Sequence, residues 1–391
     1  MASVFKIDAN EVFELSRGRY LELARHFLGG ALAKALARPG RPVPNPWAPG
    51  THDAMRLDRR FNENGKVWFN TNTWGVQGPL IPFKSLMIHA GVVRDMGEYF
   101  REVGGYLGLG AKTQPLSERE LAARQAEQRR RAMFYEMKEL KAEALRSDKA
   151  RERNEAIWSH TVPLFGKDGR PNEELADVWE YLRSRGLGAL EEAKPSALRD
   201  LRGSKALSYH GADKKYPALV ARVQDERGYG VCLHRTYLEN GHKAPVEFPK
   251  KLTGTDRIHS GQSRCIPIGD VTSPVMGVAE GIETALSCFV ASDCRLPVWS
   301  CVCANELRNF IPPRGVTDVV IFADRDRSGT GYKAAKDLKE RLLASGISGW
   351  IVLPRSAIPE GQKGVDWNDE LINAPEHFPE YERLMRYISA R

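Results

Sequence analysis

The chain is poor in the features that would mark several common classes of protein. No cysteine occurs before Cys232, so a cysteine-liganded zinc module in the first 231 residues is excluded. Cys288, Cys294, Cys301 and Cys303 lack the paired CxxC knuckles of a structural zinc site, and six thiols confined to the second half fit a reducing compartment. No apolar run approaches the ~20 residues that cross a bilayer, and the N-terminal MASVFKIDANEVFELSRGRY lacks the order of a secretory signal. No membrane association and a cytoplasmic location are therefore expected. A GxxxxGK[ST] motif is absent, which argues against an attached P-loop ATPase or helicase.

What is present is a soluble composition with 42% hydrophobic and 28% charged residues. A length of 391 residues exceeds what one core usually organises, so several domains are expected. The formal net charge of +8 favours polyanionic partners without proving them.

Residues 1–112 mix a helical opening with a Pro- and Gly-rich middle, after which Phe61, Val67, Phe69 and Trp74 suggest short strands around an NENG turn in a small β-rich module. Residues 113–162 are dense in both signs of charge and lack Gly and Pro from Ser117 to His160, as a connecting helix requires. Met133, Met137, Leu140 and Ala144 recur on that helix as one narrow packed stripe. Residues 163–271 read as a helix over Glu173–Arg185 stopped by Gly186, then a basic antiparallel meander in which Ala218–Val223 pairs with Val231–Leu238 through DERGYG.

From 272 to 391 the rhythm changes. Apolar runs in VMGVAE, PVWSCV, TDVVIFAD and GWIVLP alternate with helical segments, which predicts an α/β fold with a parallel sheet flanked by helices. Functional groups in such sheets collect beyond the carboxyl ends of the strands. Glu280 stands at one such end, Asp324 and Asp326 at another, and Asp366 and Asp369 follow the fourth run. Residues i and i+2 of extended backbone share a side, so Asp324 and Asp326 present their oxygens together. Converging carboxylates repel, and a hard divalent cation, Mg²⁺ or Mn²⁺, relieves that cost. Either Asp366 or Asp369 completes the set, although an acidic residue at a helix start, Asp369 here, can also be an N-cap.

VAEGIETALS, VVIFADRDRSGTGYKAA and GVDWNDEL resemble the three signature segments of the Toprim domain. PALVARVQDERGYGVCLHRTYLENGHKAP resembles the segment that precedes Toprim in primase-like proteins of phages, plasmids and integrated mobile elements. The resemblance implies Glu280 as catalytic glutamate, Asp324 and Asp326 as a metal-binding pair, and Asp366 or Asp369 as the third acidic motif. It further implies synthesis of short RNA primers on a single-stranded DNA template from nucleoside triphosphates, possible cooperation with a replicative helicase, and phosphate contacts from Arg235, Lys243, Lys250 and Lys251. A Toprim nuclease and a non-catalytic single-stranded nucleic-acid-binding replication accessory are the rival expectations. The segment NPWAPGTHDAMRLDRRFNENGKVWFNTNTWG resembles the frame of the primase zinc ribbon with every metal ligand missing, a remnant held by Trp47, Trp68 and Trp74.

Overall fold

The computed structural model describes residues 7–48, 54–69, 80–109, 118–209 and 214–390. The chain forms two compact units, Met1–Lys141 and Ala142–Arg391. Among the described residues no helix is long and apolar enough to cross a membrane.

Unit 1 contains helices α1 (Ala9–Ser16) and α2 (Tyr20–Ala37), strand β1 (Met55–Leu57), helix α3 (Phe61–Asn64), strands β2 (Lys66–Phe69) and β3 (Leu80–Pro82), and helices α4 (Phe83–His89) and α5 (Met96–Tyr106). The three strands pair antiparallel in the order β1-β2-β3. Among the described residues of this unit helices outweigh strands, and Phe61 opens a short helix rather than the expected strand. The NENG turn is real, and its glycine is obligatory. Gly65 has φ +59, and a Cβ there would meet the Tyr20 ring at 2.6 Å. Leu23, Leu32, Phe61, Phe69, Phe83 and Tyr99 form the core. Trp47 packs against Phe69 at 6.4 Å and Trp68 lies under Arg56 at 4.9 Å, while Trp74 lies outside the described residues.

Helix α6 runs from Glu118 to Ser159. The packed stripe is not formed on it: Met133 is 67% exposed, and Met137 and Leu140 are exposed too. Helical spacing places these side chains on one face but supplies no partner to bury them. Burial comes further on, where Ser147 accepts from the backbone N–H groups of Arg257 and Ile258, and Asn154 donates to the Gly254 carbonyl at 3.0 Å.

In unit 2, strands β4 (Val162–Pro163), β5 (Leu201–Ser208), β6 (Lys215–Gln224), β7 (Gly230–Glu239) and β8 (His242–Lys243) form an antiparallel sheet in sequence order, and β9 (Lys250–Leu252) also pairs with β7. The pairing through DERGYG is as expected, with Ala218 opposite Tyr237 and Val223 opposite Cys232. Asn240 and Gly241 both adopt positive φ, the geometry of a tight hairpin turn. Before the sheet comes helix α7 (Ala176–Ser184), terminated by Gly186 at φ +73.

The last third holds a four-stranded, wholly parallel sheet. Its order is β11 (Val298–Ser300), β10 (Val275–Ala279), β12 (Asp318–Phe322), β14 (Ser348–Val352). Apolar runs arise because both faces are covered. Val275, Ala279, Val320 and Phe322 face helix α8 (Ile282–Ala291), whereas Met276, Val278, Val319 and Ile321 share a cluster with Leu307 of α9 (Ala304–Arg308) and Leu338 of α10 (Thr330–Ala344). Leu219, Ala221 and Val223 of the meander join the same cluster as Ile282, Leu286 and Phe289, so the two sheets of unit 2 share one core.

Candidate metal and phosphate-transfer site

Strands β10 and β12 are neighbours in register, with Ala279 opposite Phe322, so Glu280 and Asp324 emerge beyond the same edge of the sheet. The backbone then turns. β13 (Arg325–Asp326) pairs antiparallel with β15 (Gly364–Val365), with Asp326 opposite Gly364. That two-residue ladder ties the DRD segment to GVD and carries Asp366 to the cluster. Gly364 permits it, since a Cβ there would lie 2.7 Å from the Arg325 carbonyl oxygen. Arg325 is exposed and donates to the Pro354 carbonyl at 2.8 Å, away from the acids.

The electrostatics single out Asp324. Its carboxyl is pushed up to about 8, first by burial and then by the charges of Asp366, Glu280 and Asp326, against which a hydrogen bond from Thr284 counts little. Its Oδ1 is buried with no hydrogen-bond partner. Glu280 is also raised, by burial and by Asp326, although the Ala304 backbone N–H opposes this. Asp326 behaves differently. Burial raises it, but Ser328 and the backbone N–H groups of Gly331, Thr330 and Gly329 outweigh burial and hold it below the usual carboxylate range. Its Oδ2 accepts from Gly331 at 2.9 Å and its Oδ1 from Thr330 at 3.1 Å, at the N-terminus of α10. A Cβ on Gly331 would stand 3.1 Å from that Oδ2.

Asp366 and Asp369 divide the labour at the start of helix α11 (Trp367–Asn373). Asp366 is the N-cap: its Oδ1 accepts from the backbone N–H groups of Asn368 and Asp369, both at 2.8 Å. Asp369 closes the capping box by accepting from the Asp366 N–H at 3.1 Å. The N-cap expected at Asp369 thus sits at Asp366, which is also the residue of the two whose charge bears on Asp324. Burial raises Asp366, and the nearby charges of Asp369 and Arg185 act on it in opposite directions.

Among the described residues none of these five carboxylates makes an ion pair. Nor do any three metal-ligating side chains converge on a common point. Asp326 and Asp366 spend oxygens on helix N-termini, where backbone N–H groups offset part of the repulsion among the acids. The orphaned Asp324 oxygen and its three acidic neighbours nevertheless suit a hard cation taking oxygen ligands.

One acidic residue escaped the sequence reading. Glu283 opens the first turn of α8 and is 6% exposed. Its Oε1 accepts from Tyr181 at 2.6 Å and pairs with Lys243 at 3.4 Å, while Oε2 takes Lys250 at 2.6 Å. Burial raises Glu283, but the two lysines and these hydrogen bonds win and hold it far below the usual range. The signal in the sequence was a glutamate inside an otherwise apolar helical segment, EGIETALS. The four expected phosphate ligands are not brought together. Lys243 and Lys250 gather at Glu283 with His234, whose imidazole burial and Lys250 push down to about 4. Arg235 follows His234 along β7 and points to the opposite face, where its strand partner Lys251 lies over the Tyr209 ring at 3.9 Å.

Two stretches of the chain match known family models. Residues 275–375 match the model of the Toprim domain, and residues 148–263 match a domain of unknown function, DUF7146. No curated protein matches the chain. Among solved structures, the chain is similar to the primase fragment of the bacteriophage T7 primase-helicase protein, at 17% identity over 54% of this chain and 73% of that one with a TM-score of 0.33. It is similar to the Aquifex aeolicus primase (zinc-binding and RNA polymerase domains) at 14% identity over 95% and 85% with a TM-score of 0.33. For the E. coli primase catalytic core the values are 14%, 56%, 74% and 0.34.

Proposed function

Starting from a chain whose residues 275–375 match the Toprim domain, we propose that it is a primase-like nucleotidyltransferase that makes short RNA primers on single-stranded DNA from nucleoside triphosphates. The observation that carries this reading is Asp324: a buried carboxyl ringed by three other acids, with an oxygen left without a partner. A divalent cation held by Asp324, Asp326, Glu280 and Asp366 would neutralise phosphate oxygens there and lower the cost of nucleophilic attack at phosphorus.

The chain's own residues do the rest. The antiparallel β13–β15 ladder fixes the acidic segments relative to each other, and Gly331 lets the α10 N-terminus approach Asp326 closely. Glu280, raised by its surroundings, is suited to take a proton from an attacking 3′-hydroxyl at one of its carboxylate oxygens. Lys243 and Lys250, partly exposed and anchored by Glu283, can turn their remaining N–H donors to a triphosphate. The meander that bears them shares its core with the parallel sheet, which keeps cations and acids in fixed relation.

A direct assay is incubation with Mg²⁺ or Mn²⁺, labelled ribonucleotides and single-stranded DNA. Short labelled RNA is the expected product. Shortened DNA would instead identify a nuclease, and retention of DNA with neither product a binding accessory.

A further inference from the structure

The face of the antiparallel sheet opposite Glu283 carries Arg202 and Arg235, which among the described residues have no carboxylate partner in an ion pair. Arg235 is 7% exposed. Its Nη1 donates to the Tyr237 hydroxyl at 2.9 Å and its Nη2 to the Leu252 carbonyl at 3.2 Å, but its Nε is buried without a partner. Burial lowers the Arg235 guanidinium; Tyr237 opposes this, and Arg153 of α6 adds to it. Among the described residues neither Arg153 nor Arg235 has an ion-pair partner. In the same row of the sheet Arg202, Val220, Arg235 and Lys251 stand opposite one another in turn. Arg202, whose Nε is also buried and unpartnered, lies over the Trp158 ring at 5.0 Å. Aromatic faces and carbonyl oxygens hold these cations in place and leave their charge uncancelled. Buried charge without a counter-ion is costly, and an anion is the missing element.

There is room for one. Between the end of α6 and β5 lies a cleft of about 660 Å³, lined among others by Arg153, His160, Lys205, Ser204 and Arg235. The carboxylate in its wall, Glu174, is paired with Lys205 at 3.0 Å. β4 covers β5 only at Arg202 and Gly203, so Ser204–Ser208 is an outer edge. A bulge between Ser204 and Leu207 interrupts the pairing with β6 near Pro217, and such edges and bulges turn backbone N–H groups toward a ligand. We propose that this cleft is a phosphate-binding site separate from the carboxylate cluster, taking the phosphodiester backbone of a single strand or the phosphates of a free nucleotide.

The test uses the full chain in EDTA, so that it does not depend on the metal chemistry proposed above, and its failure would leave that chemistry standing. Binding of a fluorescein-labelled oligothymidylate and of fluorescent ATP is followed by anisotropy over a range of NaCl. Arg153 is exposed, so Arg153→Ala leaves the fold intact. It is expected to weaken the phosphate ligand about tenfold, the size of one charge-assisted contact, and to reduce the salt slope by ~0.7 for a single strand. Arg235→Gln, checked for folding by thermal melting, gives the same loss, whereas Arg314→Ala, at an exposed arginine in the loop before β12 and outside the cleft lining, changes neither. Loss confined to the oligonucleotide identifies a nucleic-acid backbone, and loss confined to ATP a free nucleotide. Wild-type affinity and salt slope for both ligands in Arg153→Ala and in Arg235→Gln would overturn the proposal.

Discussion

Glu283, in the first turn of the helix that follows β10, and Asp324, just past the end of β12, are both acids drawn in from solvent, yet the chain treats them in opposite ways. Around Glu283 it supplies Lys243, Lys250 and Tyr181, and the carboxylate is held far below its ordinary range. Around Asp324 it supplies Glu280, Asp326 and Asp366, and the carboxyl is pushed up to about 8. The first site is complete with the residues present. The second is left short of positive charge, which is what a site for a cation and a phosphate requires.

Breaking the second site should produce the largest effect. Asp324→Asn is expected to lower primer synthesis by roughly a thousandfold or more, the scale of removing metal-borne charge stabilisation, measured as labelled RNA per unit time. Metal-free thermal stability should hold or rise, because repulsion among four acids is relieved. Breaking the first site should act on folding as well as on nucleotide binding. Lys243→Met with Lys250→Met strands Glu283 in the core and is expected to cost about 3 kcal/mol in urea unfolding. Adding Glu283→Gln should recover most of that loss.

The pH dependence sharpens the contrast. Asp324 has a folded value of about 8 against an ordinary value of 3.8, so the folded state binds the extra proton between them. Metal-free stability should therefore be highest below pH 4 as far as this group is concerned, and fall as pH rises toward 8. A loss of roughly 2 kcal/mol is expected, since relaxation around the group reduces the full linkage value. Asp324→Asn should flatten the profile. Glu283, lowered, has the opposite sign: its contribution is full above its ordinary value near 4.5 and disappears only in strong acid. The smallest effect belongs to Gly331→Ala. A Cβ 3.1 Å from Asp326 Oδ2 and 3.2 Å from the Asp324 carbonyl oxygen should cost about 1 kcal/mol and weaken Mn²⁺ binding severalfold in calorimetry.

These contrasts also explain what the sequence disclosed. The parallel sheet was legible because its central strands are buried on both faces, so Val275–Ala279 and Val319–Phe322 read as apolar runs. Glu280 and Asp324 stand out because each comes directly after such a run, whereas Asp366 follows the two-residue β15. Which of Asp366 and Asp369 faces Asp324 was not legible, because it depends on which of the two caps the helix. Glu283 was missed for a related reason: Lys243 and Lys250 come from the preceding sheet, and only the shared core brings them to α8. The stripe on α6 failed because periodicity specifies a face without saying what covers it, and Met133 and Leu140 stay exposed.

Proton release on metal binding tests the central claim most directly. Mn²⁺ is titrated into the protein at pH 7 in buffers of different ionisation enthalpy, and the protons released per ion are read from the slope. A carboxyl held at about 8 should give up close to one proton as the ion binds, and Asp324→Asn should abolish the release together with most of the affinity. Binding of equal strength in that variant, or tight wild-type binding without proton release, would contradict the account.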